Sequence, residues 1–283
     1  MQRSGMKRED VKSYAINSAP IGLFDSGVGG LSVLRVIREQ LPHENLLYFA
    51  DQGHVPYGPR PIEEVCEFSE AITHWLLAQD AKMIVIPCNT ASAAALHYLR
   101  KTFPDVPFVG MEPAVKPAAE QTQTGVVGVL ATPVTFQGEL YASVVERFAQ
   151  GVIVLQHTCP GLVAQIEQGA ITVPKTRSIL EQALAPMLAQ NIDTVVLGCT
   201  HYPFVIPLIQ EITGPNVRVI DPSPAIARQV SRLLPYPAAS EKGEMRFMTT
   251  GNAHKLQELL NNLLGLAMPT EQIAWEKVVS GGS

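Results

Sequence analysis

The sequence predicts an α/β fold: two similar doubly wound parallel-sheet domains facing each other across a cleft. From Ile21 onward, short β-branched and aliphatic runs alternate with longer amphipathic segments, the pattern of strands joined by helical crossovers. Near Gly125 the alternation restarts, so the unit occurs twice. In each unit one run ends in a cysteine: Met83-Ile84-Val85-Ile86-Pro87 before Cys88, and Thr194-Val195-Val196-Leu197-Gly198 before Cys199. Open α/β sheets present ligand-binding groups where strands leave the sheet. Two cysteines at corresponding strand ends therefore point to one site shared by two halves.

The elements follow in order. Ile21-Gly22-Leu23-Phe24 reads as a strand, and Asp25-Ser26-Gly27-Val28-Gly29-Gly30 as a glycine-rich turn. A helix is predicted over 31–41, with Leu31, Leu34, Ile37 and Leu41 on one face. The second strand is 45–50. The next helix, 62–78, carries a stripe of Ile62, Val65, Ser69, Ile72 and Leu76. A third strand over 83–87, a helix over 90–101 and a short fourth strand over 107–111 complete the first unit. The second opens with a strand at 125–130, a turn at Ala131-Thr132-Pro133 and a helix over 136–149. A strand at 152–155, helices at 161–168 and 175–190, and a strand at 194–197 come next. Then follow a strand at 217–220, a helix at 223–234, a strand at 245–249 and a helix at 252–264. The last strand and helix are expected to return to the first domain, because the second unit already has its own strands. The domains are then 20–116 with 226–283, and 117–225, after a flexible polar extension, 1–19.

Composition narrows the partners. Of the 283 residues, 46% are hydrophobic and 17% charged, which is globular and not disordered. A formal net charge of −5 argues against nucleic acid or an anionic membrane as partner. A small molecule is the expected ligand. The extension carries Arg3, Lys7, Arg8 and Lys12 without an apolar core, unlike a secretory signal. No apolar run approaches the roughly 18 residues of a membrane span. The expected location is the cytoplasm, where thiols stay reduced. Cys66, Cys88, Cys159 and Cys199 form no CxxC pair, which argues against a zinc or dithiol motif.

The motifs differ in what they carry. The glycine-rich turn precedes a helix, where backbone N–H groups attract anions. Asp25 and Ser26 are equally ordinary helix caps, so a ligand contact and a cap are both open. Pro56-Tyr57-Gly58-Pro59 reads as a stiff turn, and Asp51 and His54 before it as solvated. Cys88 heads the run Cys88-Asn89-Thr90-Ala91-Ser92 at a helix start. There the macrodipole should lower its pKa, and Asn89 and Thr90 would offer donors to a carboxylate. Gly198-Cys199-Thr200-His201 repeats the arrangement with a histidine beside the thiol, a proton partner or charge stabiliser. Cys66 and Cys159 read as structural, although Cys159, after a strand, could line the cleft.

These segments together resemble the glutamate racemases of the aspartate/glutamate racemase superfamily. The likeness rests on Phe24-Asp25-Ser26-Gly27-Val28-Gly29-Gly30-Leu31-Ser32, Pro56-Tyr57-Gly58, Cys88-Asn89-Thr90-Ala91-Ser92 and Gly198-Cys199-Thr200-His201, in family order and spacing. The resemblance implies a cofactor-independent isomerase that interconverts L- and D-glutamate, the latter for peptidoglycan. It implies Cys88 and Cys199 as the two catalytic bases, with Asp25 and His201 assisting the nearer thiol. Substrate would be bound by Asp25, Ser26, Pro56, Tyr57, Gly58, Asn89, Thr90, Thr132, Thr200 and His201, with no metal. The segment Thr158-Cys159-Pro160 departs from the family pattern at Gly161 and Gln165, yet Glu167 falls at its acidic position. That match implies Glu167 as a helper near His201. The oligomeric state is open, a homodimer being one reading.

Two bases suit the chemistry. Inverting one carbon removes a proton from one face and delivers one to the other, and a single base does not reach both. Two alternatives stand beside this reading: an aspartate or other amino-acid racemase of the superfamily, and a non-catalytic amino-acid-binding protein. A thiol-dependent hydrolase would use one nucleophile and one base, leaving a cysteine unexplained.

Overall fold

Parallel strands need crossover connections, and the order in which crossovers return decides where a sheet opens. The structure, a computed structural model, describes residues 18–238 and 242–281. The extension 1–19 therefore lies outside the described residues except for Ser18 and Ala19. The first half supplies β1 (Ile21–Asp25), β2 (Leu46–Ala50), β3 (Met83–Val85) and β4 (Phe108–Val109). The second supplies β5 (Val126–Ala131), β6 (Ile153–His157), β7 (Thr194–Gly198) and β8 (Arg218–Ile220). The strands β9 (Met245–Thr249) and β10 (Thr270–Gln272) follow. The two sheets have orders β10-β9-β2-β1-β3-β4 and β6-β5-β7-β8, with every pairing parallel. The predicted fold class is the observed one.

The repeat is visible in the orders. Each half runs second strand, first, third, fourth. In such a sheet the winding direction reverses between the first and third strands, and the crevice beyond their C-terminal ends is where ligands sit. Asp25 and Cys88 leave that point in the first sheet, Thr132 and Cys199 in the second. The strand β9 pairs with β2, Met245 opposite Leu46 and Thr249 opposite Ala50, so the C-terminal return extends the first sheet.

The central strands β1, β2 and β7 are buried along their whole length, as parallel strands covered on both faces must be. Helices cover them: α1 (Leu31–Gln40), α2 (Ile62–Ala78), α3 (Asn89–Thr102), α4 (Val115–Gln121), α5 (Pro133–Gln137), α6 (Glu139–Phe148), α7 (Leu162–Glu167), α8 (Pro174–Leu188), α9 (Ile206–Thr213), α10 (Ser223–Leu233), α11 (Ala253–Leu264) and α12 (Trp275–Val279). One apolar cluster runs from Ile21, Leu23 and Val85 of the first sheet to Leu130, Val195 and Leu197 of the second. No helix among the described residues is long and apolar enough to cross a membrane.

Several elements differ from expectation. The helix expected over 136–149 is two, α5 and α6, parted at Gly138, whose ψ of 138° is extended. A Cβ at Gly138 would stand 2.8 Å from Ala93 Cβ, so the break lets α3 approach. The helices α4, α9 and α12 and the strand β10 were not expected. Pro207 occupies the first turn of α9, where its missing N–H is harmless. The strand β10, Thr-Glu-Gln, has no apolar pattern, and pairing with β9 alone makes it a strand.

Asp193, just before β7, ties the second unit's first strand to its third. Its carboxylate accepts from Gln123 N at 2.5 Å, Thr124 N at 2.9 Å and Thr122 Oγ1 at 2.8 Å. Partial burial pushes its pKa up, but the hydrogen bonds outweigh that and bring it down to about 2. A depressed carboxylate stabilises the fold above its unfolded pKa of about 3.9, and loses that contribution as pH falls through the folded value. Urea unfolding of the protein and Asp193→Asn should therefore show a constant stability gap above about pH 4 that closes toward pH 2.

Candidate active site

The two reversal points face each other across one cavity of about 300 Å³, at the small end of the usual 300–1,000 Å³ range for ligand pockets. Cys88 and Cys199 both line it. From the first half come Ser26, Asn89 and Thr90, and from the second Thr132, Thr200 and His201. A further wall is formed by Pro56, Tyr57 and Gly58. Asp25 and Glu167 do not line the cavity; they stand one layer behind, against groups that do.

The glycine-rich turn explains itself here. Its amides turn onto the protein's own carboxylates. Gly27 N and Gly30 N donate to Asp25 Oδ2 at 3.2 and 3.0 Å, and Val28 N donates to Glu167 Oε1 at 2.7 Å. A side chain at Gly27 would overlap the Glu167 carboxylate, and one at Gly29 would stand 2.5 Å from His201 Nδ1 and 2.6 Å from Thr200 Oγ1. Glycine is needed because the second half approaches this backbone closely. The turn is thus Asp25-capped rather than an open anion cradle, while Ser26 reaches the cavity.

Cys88 caps α3, its sulfur accepting from Ala91 N at 3.4 Å. The helix start was expected to lower its pKa. The opposite holds: burial and then the Asp25 carboxyl push the thiol well up, against the amides of Ala91 and Ser26. Magnitudes explain this. A helix terminus contributes about 0.3–1 kcal/mol at exposed sites, whereas full burial shifts a pKa by up to about 3–5 units. Cys88 is 4% exposed and Asp25 fully buried. Burial also raises the Asp25 carboxyl, against the pull of His201 and Gly30 N.

Cys199 has a different neighbour. His201 Nδ1 lies 3.7 Å from its sulfur, and His201 Nε2 lies 2.6 Å from Glu167 Oε1. Burial works to lower the His201 pKa, but hydrogen bonds and charge at Cys199 and Glu167 bring it well above the ordinary value. Burial works to raise Glu167, and His201, Val28 N and the Gln52 amide together hold it below the ordinary value. A carboxylate, an imidazolium and a thiol therefore stand in a row. The equivalent thiol, Cys88, has a carboxyl beside it instead.

Asn89 is 2% exposed, and both polar atoms of its side chain lack a protein partner. Buried amides are nearly always satisfied, so this one is aimed at something that enters the cavity. Thr90 Oγ1 and Thr132 Oγ1 meet at 2.9 Å, joining the walls from the two halves. Thr132 also caps α5. Among the described residues, no group of three or more His, Cys, Asp or Glu side chains is placed to hold a metal ion.

Other residues escaped the sequence reading. Asp51 is not solvated; it is fully buried. It accepts from Tyr57 Oη at 2.5 Å and Thr250 Oγ1 at 2.6 Å, and meets His54 Nδ1 at 2.8 Å. The loop after β2 folds back over its own first residue, which an isolated Asp in a polar stretch does not reveal. Cys159, read as structural but able to line the cleft, does line it, with Tyr202. Burial, with Cys199 nearby, pushes its thiol up to about 12, so it is a neutral wall group. Gln52 donates to Glu167 Oε2 at 3.0 Å; no sequence signal marks it.

Comparison with known proteins agrees with this geometry. The family model for Asp/Glu/Hydantoin racemases matches residues 21–230. A glutamate racemase of Ectopseudomonas mendocina (strain ymp) is 50% identical over 252 residues, covering 88% of this chain and 96% of that protein. Glutamate racemase isoform RacE1 of Bacillus anthracis superposes with a TM-score of 0.82 at 32% identity, covering 91% of this chain and 98% of that one. The glutamate racemase of Francisella tularensis subsp. tularensis SCHU S4, solved in complex with D-glutamate, gives a TM-score of 0.79 at 30% identity, covering 91% and 98%.

The Glu167–His201 pair makes a stability prediction. Glu167, with a lowered pKa, contributes above its unfolded value of about 4.3; His201, with a raised one, contributes fully below about 6.5 and loses this as pH rises through its folded value. The stability gap between the protein and Glu167→Gln, from urea unfolding, should be widest between about pH 4.5 and 6.5 and narrow on both sides.

Proposed function

The chain belongs to the Asp/Glu/Hydantoin racemase family, and we propose that it is a glutamate racemase in which Cys88 and Cys199 exchange protons with opposite faces of the α-carbon. The observation that carries this is the pair of buried thiols on one cavity, at equivalent strand ends of two repeated halves. The D-glutamate it makes would supply peptidoglycan synthesis.

The residues divide the work. The unsatisfied Asn89 amide, with the Thr90 and Thr200 hydroxyls, would receive the α-carboxylate. Negative charge develops beside that carboxylate as the α-proton leaves, and fixed donors there lower the barrier. On the Cys199 side, His201 Nδ1 faces the sulfur that would serve as base. On the Cys88 side, burial and Asp25 keep the thiol protonated, ready to deliver hydrogen to the other face. The opposite enantiomer needs the reverse, a thiolate at Cys88. The substrate ammonium would supply the compensating charge: at about 4 Å and an effective dielectric of about 20 it is worth about 4 kcal/mol, or about three pKa units. That is of the size of the burial penalty. The chain's own groups together with the substrate ammonium would thus account for both directions.

Two outcomes test this. Cys88→Ala and Cys199→Ala should each lose at least about three decades of racemisation in a coupled assay with L- or D-glutamate (about 4 kcal/mol); near-normal turnover by either sinks the assignment. Each single Cys→Ser variant should still eliminate a β-leaving group from one enantiomer of a suitable glutamate analogue, since that needs one base. If both variants favour the same enantiomer, the thiols do not sit on opposite faces.

A further inference from the structure

Glu167 presents one oxygen to His201, and the other is held from across the cleft. Gln52 follows β2, and its Nε2 donates to Glu167 Oε2 at 3.0 Å. Its Oε1 accepts from Thr249 Oγ1 at 3.1 Å. Thr249 ends β9 and is fully buried; its hydroxyl oxygen accepts from Gly251 N at 2.9 Å. The Glu167 carboxylate fixes the amide. An ionised carboxylate only accepts, so Gln52 Nε2 faces Glu167 and Oε1 is left to accept the Thr249 hydroxyl proton. The backbone on the far side is close as well: a Cβ at Gly251 would meet Gln52 Cβ at 2.8 Å.

We propose that Gln52 is a positioning residue for the Cys199 side of the reaction. The proposal rests on the two-thiol reading above. It adds a hydrogen-bonded row that runs from Thr249 through Gln52, Glu167 and His201 to Cys199. The row starts on the C-terminal return of the first sheet and ends at the thiol of the second half. Gln52 anchors Glu167 Oε2, which leaves Oε1 squarely on His201 Nε2 and keeps Nδ1 turned toward the sulfur. Partners one step behind a reacting group set its orientation and basicity in this way. The titratable groups facing His201 are Cys199 on its own loop, Glu167 from α7 and Asp25 from β1; among these, Gln52 bonds Glu167. Gln52 does not line the cavity; it acts through Glu167.

Gln52→Met keeps the side-chain length and removes the donor. In the full chain, the His201 ring titration followed by NMR should move to lower pH, with circular dichroism unchanged. The turnover number should fall about tenfold while KM stays near its original value. Thr249→Val, which removes the group orienting the amide, should move the titration the same way by less. In a Glu167→Gln background, Gln52→Met should add little, as expected for groups acting in one row. An unmoved His201 titration in folded Gln52→Met, or in Thr249→Val if the first does not fold, overturns the proposal whatever the activity. If the titration moves but the unaltered protein exchanges no solvent deuterium into glutamate Cα, the racemase reading fails instead and the positioning of His201 stands.

Discussion

The burial of one second-half carboxylate against first-half backbone organises this molecule. Glu167 accepts from Val28 N, Gln52 Nε2 and His201 Nε2, and it is only 7% exposed. A carboxylate stripped of water is stable only with that many donors. The demand propagates outward. It requires glycine at position 27, a turn whose amides face inward, and a β2 loop that carries an amide at the right height. It also places the halves at one distance from each other, so that the two thiols line the same cavity.

On this near-symmetric frame the chemistry is asymmetric. The strand orders of the halves repeat, and each third strand delivers a cysteine. The neighbours do not repeat. Cys88 sits beside a carboxyl that burial keeps hard to ionise, and Cys199 beside an imidazole whose pKa the contacts with Cys199 and Glu167 raise. Equivalent backbone positions thus hold thiols with unlike neighbours. The proposed two-base inversion would need one donor and one acceptor at any moment, and this difference in neighbours is what such a reading draws on.

The C-terminal return matters for the same reason. The strand β9 places Thr249 and Thr250 beside the loop that follows β2. Thr250 donates to Asp51, which holds the hydroxyl of Tyr57, and Thr249 orients Gln52. Trp275 of α12 packs edge-on against His54 with ring centroids 4.5 Å apart. The last segment of the chain therefore shapes a wall of the cavity without entering it.

Much of this was legible in the residue string. Period and composition are local, so the parallel α/β class, the bounds of α2 and the return of the alternation after Gly125 could all be read directly. So could Cys88, Cys199 and the donors beside them, because they sit at strand ends where such sheets open. The short helices α4, α9 and α12 and a polar edge strand were not legible, since packing and pairing, rather than pattern, make them regular. The protonation of Cys88 was misjudged from sequence for a physical reason: a helix start is local and readable, whereas burial depends on everything that surrounds it. Asp51, Gln52 and Thr249 carry no mark in the sequence at all. Their roles arise from hydrogen bonds between residues far apart in the chain, and only the folded arrangement, by excluding water and fixing each donor on one acceptor, decides such bonds.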